Sequence, residues 1–176
     1  MFFTENKGPK VIDVVFLNEQ GCTNAIARWL LQNPKGVVAV WFQKDLNMLR
    51  QTLNNFAGDR FVLSNRLSDY QSDIRPILFS GHYPLRTGEF DLCANVGIKE
   101  MLVYTHLDAS LFKAFGSDRI KELMEKMGMK EDEPLSHPMI TSAIANAQEK
   151  IAKQCITDLQ AWSEEDWMNT NYFVQK

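Results

Sequence analysis

The densest run of reactive side chains lies between two glycines. His82, Arg86, Glu89 and Asp91 fall within residues 81–97 (GHYPLRTGEFDLCANVG), directly after Ser80. A histidine and two carboxylates can exchange protons, and an arginine can clamp an anion. Ser80, His82, Arg86 and Asp91 are therefore read as a ligand or nucleotide edge. The plainer alternative is a solvated loop whose polar residues make local turns. Other chemistry is missing. No Gly-x-x-x-x-Gly-Lys-Ser/Thr run offers consecutive backbone N–H groups to phosphates, and neither Gly-x-Gly-x-x-Gly nor Gly-x-Ser-x-Gly occurs. Cys22, Cys93 and Cys155, with His82, His106 and His137, lie too far apart for a Cys-x-x-Cys or His-x-x-x-His metal site. No cofactor and no metal are expected.

Two further groups suggest recognition rather than catalysis. Met124, Met127, Met129 and Met139 could line an adaptable peptide groove, or simply pack a core. Trp162 and Trp167 could anchor a partner, or fold back onto their own domain.

Composition narrows the class. The 176 residues are 45% hydrophobic and 23% charged, with a net charge of −3. That length suits one domain, or a domain with an extension, and can bury roughly 70% of the unfolded surface. The charge balance excludes nucleic-acid binding driven by bulk charge and a polybasic membrane anchor. The first ten residues, MFFTENKGPK, hold no signal-peptide core, and the longest apolar run, 37–42 (VVAVWF), is too short to span a bilayer. A cytoplasmic protein is expected.

The elements that must position these residues follow from periodicity. Residues 11–17 (VIDVVFL), 37–42, 60–64 (RFVLS), 77–80 (ILFS) and 101–105 (MLVYT) read as strands, and 37–42 as one covered on both faces. Helices are predicted at 23–32 and 45–56, the first started near Thr23 or Cys22 and the second capped by Asp45. Residues 67–73 form a polar connection, and 81–97 a long irregular one at the carboxyl edge of the sheet, where ligands bind. From residue 109 the pattern is helical. One helix is capped by Ser117 and ends at Gly128. A longer one opens at Pro138, with Ile140, Ala143, Ile144, Ala147, Ile151 and Cys155 as its stripe. A mostly parallel α/β domain over 1–115 is predicted, with a helical extension over 116–176 packed on it.

Residues 101–151 (MLVYTHLDASLFKAFGSDRIKELMEKMGMKEDEPLSHPMITSAIANAQEKI) are more specific. They resemble the SecA preprotein translocase ATPase where its second motor domain passes into the helical scaffold. The segment 111–120 (LFKAFGSDRI) is similar to the motor exit. Residues 127–130 (MGMK) and 137–141 (HPMIT) follow at the family's spacing, and 143–150 (AIANAQEK) is similar to the start of the scaffold helix. Residues 25–42 resemble the opening of the second motor domain.

The resemblance implies a helicase-like (RecA-like) motor lobe with C-terminal helices. It also marks departures. The family's first motor domain, with its Walker motifs, has no counterpart here. Its Gln- and Arg-rich phosphate-facing run is missing, and only Arg86-Thr87-Gly88 followed by Asp91 echoes a Gly-Arg-Gly-Thr-Asp loop. The expectation is a degenerate SecA-like module without ATPase activity, whose partner is a protein such as SecA or another export component. Two alternatives stand beside it. One is half of a split ATPase relying on Arg86. The other is a small α/β enzyme using the 81–97 loop.

Overall fold

The computed structural model describes residues 8–70 and 75–173. The first seven residues, and with them most of the stretch read for a signal peptide, lie outside this range, as do residues 71–74 of the polar connection. Strands Lys10–Phe16 (β1), Val37–Val40 (β2), Phe61–Leu63 (β3), Ile77–Ser80 (β4) and Glu100–His106 (β5) form one sheet in the order β1-β5-β4-β2-β3. Every ladder is parallel. β2 is buried at all four positions, as its unbroken apolar run requires.

The two faces follow from the two-residue period of a strand. Val38, Val40, Phe61 and Leu78 point to one face. They pack there on Ile26, Trp29 and Leu30 of Glu19–Gln32 (α1) and on Leu46 and Leu49 of Gln43–Thr52 (α2). Val37, Ala39, Val62, Phe79, Met101 and Val103 point to the other, against Cys93 of Arg86–Val96 (α3). Burying a Leu or Phe side chain contributes about 1.5–3 kcal/mol, so these two layers hold the lobe together.

Local boundaries moved where a cap or a turn decided them. α1 starts earlier than predicted because Asn18, not Thr23 or Cys22, caps it: its Oδ1 accepts the Gly21 N–H at 2.8 Å. α2 has no side-chain cap, and Asp45 lies in its first turn. The largest correction is at 81–97. The stretch is irregular only as far as Leu85 and then forms α3. Gly97, in the left-handed conformation at φ 81°, closes the helix. The helix sets Gly88 against the Tyr83 ring and buries only Glu89 and Cys93, so the sequence shows almost no apolar period.

The C-terminal third is helical: Ser110–Lys113 (α4), Ser117–Lys126 (α5), Pro138–Gln154 (α6) and Glu164–Trp167 (α7), the last running into a π-turn, Met168–Tyr172. Ser117 does not cap α5. Its Oγ instead donates to the Leu107 carbonyl at 2.7 Å, and Gly116 takes the capping position. Phe42, Leu111, Ile144, Ile151, Trp167 and Met168 form one buried cluster. Val15, Leu17 and Leu107 form another, with Met124, Met129, Leu135 and Ile140 against it. Among the described residues no helix is long and apolar enough to cross a membrane.

Candidate functional site

A cleft of about 620 Å³ opens at the carboxyl ends of β2, β4 and β5, the usual ligand position in an open parallel sheet. Ser80, Gly81 and His82 line it from the β4 exit, and Tyr104, Thr105 and His106 from β5. Trp41, Phe42, Lys44 and Asp45 come from the start of α2, Glu19 from α1, and Glu164 from α7. Gly81, at φ 82°, turns the chain inward after β4.

That turn sends His82 into the interior. Its Nε2 lies 2.6 Å from Asp13 Oδ1 and its Nδ1 lies 2.7 Å from Glu89 Oε1, and all three residues are buried. The Tyr83 N–H adds a 2.9 Å bond to the same Glu89 oxygen. Burial alone would lower the histidine pKa. The charge of Glu89 and the hydrogen bonds to both carboxylates outweigh it, and raise the pKa to about 10. Two carboxylate oxygens set against the two ring nitrogens favour the imidazolium, which donates both N–H groups. Both ring nitrogens are occupied by carboxylates, which opposes the general-base role its position suggested.

The remaining predicted residues separate. Arg86 and Asp91 do not face the cleft. They line a different groove with Pro9, Phe90 and Gln148, and the Arg86 guanidinium carbon lies 4.7 Å from the centre of the Phe90 ring. Ser80 stays at the cleft. The two tryptophans part as well. Trp167 is wholly buried against Tyr83, and its Nε1 donates to Asp158 at 2.8 Å. It packs on its own chain. Trp162 is 53% exposed.

Acidic side chains outnumber lysines in the cleft, Glu19, Asp45, Asp108, Glu164 and Glu165 against Lys44 and Lys113. Glu164 accepts the Ser110 and Leu111 N–H groups at 3.0 and 3.3 Å. Burial and the nearby Asp45 charge raise its pKa to about 7. Burial and Glu19 raise the pKa of Asp45 to about 6. Burial lowers that of His106, whose Nδ1 has no partner among the described residues. Asp108 is engaged by Lys121 at 2.7 Å. Among the described residues no group of three or more His, Cys, Asp or Glu side chains is arranged to hold a metal.

Sequence reading missed Asp13, Asp45 and Glu164. Asp13 alone carried a signal: a single carboxylate inside the β-branched run VIDVVFL is costly unless something pairs with it. The other two meet only when α7 folds over the sheet edge.

No protein-family model matches the chain. Part of it is similar to proteins described as protein translocase subunit SecA. The protein from Sorangium cellulosum is 45% identical over 51 residues, or 29% of this chain and 5% of that protein. The one from Syntrophobacter fumaroxidans is 49% identical over 51 residues, covering 29% and 6%. The one from Acidithiobacillus ferrooxidans is 52% identical over 48 residues, covering 27% and 5%. The similarity thus spans about a twentieth of those relatives' length, and it marks a SecA-related segment in an α/β lobe.

Proposed function

We propose that the chain is a SecA-like motor lobe that does not turn over ATP and acts as a protein-interaction or regulatory module of protein export. The observation that carries this reading is the charge of the cleft. Where a motor lobe would present arginines to a triphosphate, this cleft has no arginine among the described residues that line it, and its acidic side chains, Glu19, Asp45 and Glu164 among them, outnumber Lys44 and Lys113. Phosphate chemistry depends on cations and N–H groups aimed at the transferring oxygens. Here Glu164 occupies two such N–H groups, and the carboxyl groups of Glu164 and Asp45 stand where a phosphate would need cations. Kinship with SecA over about fifty residues supports the link to export. A split ATPase would need Arg86 at the phosphates, and its guanidinium lies over Phe90 instead.

Purified chain, alone and mixed with SecA, should release phosphate from ATP no faster than buffer or SecA alone, as read by malachite green. Calorimetry should detect no ATP binding. Saturable ATP binding, or a rate added to that of SecA and abolished by Arg86→Ala, would remove the proposal.

A further inference from the structure

α5 is turned so that its apolar side misses the body of the protein. At 100° per residue its surface divides into four zones. Ser117, Lys121 and Met124 face inward: Ser117 is buried, and the other two are half-buried. Next to them Ile120, Leu123 and Met127, spaced i, i+3 and i+7, stand 47, 59 and 78% exposed. Beyond that row, on its open side, come Arg119 and Lys126, both exposed and neither in an ion pair among the described residues. Asp118, Glu122 and Glu125 take the back. A row of this spacing is what a second helix packs into, and exposed apolar rows rimmed by charge mark interaction surfaces.

The rim selects the occupant. In an antiparallel pair of identical helices, matching rims face one another, so a second copy would bring Arg119 and Lys126 against Lys126 and Arg119. A lipid surface would attract a helix rich in basic residues, but α5 carries three acidic against three basic side chains. We propose that α5 docks an amphipathic helix of a partner protein through Ile120, Leu123 and Met127, with acidic residues on the partner opposite Arg119 and Lys126. This rests on reading the chain as an interaction module, and names the surface and the partner chemistry.

The probe is a fluorescent synthetic helix with leucines at i, i+3 and i+7 and flanking glutamates, titrated with the whole chain by anisotropy. Saturable binding is expected, weakened about tenfold or more by Leu123→Ser and by the double variant Arg119→Glu, Lys126→Glu. All three positions are exposed, so folding should persist, and circular dichroism checks it. The charge-reversed variant should in turn prefer a lysine-flanked probe. Three outcomes overturn the proposal: no saturable binding by the unaltered chain, binding indifferent to Leu123, or Leu123-dependent attachment to anionic phospholipid vesicles or self-association in place of helix binding. ATP binding in the calorimetric test would refute the silent-motor reading and leave this result untouched.

Discussion

Asp13, His82 and Glu89 show how one buried proton can organise three elements. Asp13 sits mid-way along β1 and, by the strand period, on the face that α3 covers. His82 follows β4 and Glu89 lies on the inner side of α3, so the imidazolium ties strand, turn and helix together. The pH dependence follows from its sign. His82 is raised from 6.5 to about 10 in the fold, so its contribution is complete below pH 6.5 and disappears as pH rises through 10. Glu164 and Asp45 are also raised, to about 7 and about 6, and the folded chain holds their protons longer than the unfolded chain does. All three slopes agree. His106, held below 6.5 by burial, opposes them only up to that value, so urea midpoints should fall steadily from pH 7 to pH 10. His82→Gln should cost about 3–5 kcal/mol at pH 7, because two buried carboxylates lose their counter-charge, and should flatten the slope above pH 7. A wild-type midpoint that rises over this range would contradict the assignment.

At the scale of elements, the exposed side of β1 is the point of interest. β1 pairs with β5 on one side only, and an unpaired parallel edge invites association. The link between α5 and α6 covers it. Val15 and Leu135 exchange N–H and carbonyl bonds of 2.8 and 2.9 Å, and Ser136 Oγ donates to the Asp13 carbonyl at 2.7 Å. The same link lies across the start of α1, where a Cβ on Gly21 would stand 2.0 Å from the Glu131 carbonyl oxygen. Backbone on backbone cannot yield cheaply. Gly21→Ala should destabilise by about 1–3 kcal/mol and speed hydrogen exchange at the Val15 amide. Unchanged exchange at Val15 would mean that the link does not depend on this contact.

Over the whole molecule, two sheet faces and two C-terminal clusters form the apolar interior. The tail takes part in it. Asn171 is fully buried and bonds the Leu159 N–H and carbonyl at 2.8 and 3.0 Å, which pins Trp167 and Met168 against Phe42 and Leu111. Trp167→Ala should cost about 3–5 kcal/mol, whereas Trp162→Ala should shift stability by no more than about 0.5 kcal/mol. Thermal or urea melts of the two variants separate a packed tail from a loose one, and equal small effects would refute the packing. The methionines divide in the same way. Met124 and Met129 pack against Val15, Leu17 and Leu107, while Met127 and Met139 are 78 and 74% exposed.

Much of the architecture is legible in local pattern. Five β-rich runs, the all-buried VVAV of β2, and proline at the start of α6 are signals carried within a few residues, and each became the element it suggested. α3 was not legible, because a helix that buries little more than Glu89 and Cys93 leaves no apolar stripe to read. The site was least legible of all. Asp13 and His82 are 69 positions apart and Asp45 and Glu164 lie on separate helices, and what these groups do depends on distance and burial rather than on residue type. Sequence determined which segments would be strands and which helices, since propensity and period act locally. Tertiary structure alone decided that the histidine is held between two carboxylates, that acidic groups gather at the sheet edge and that one tryptophan is core, because solvation and electrostatics are set by what the folded chain brings alongside.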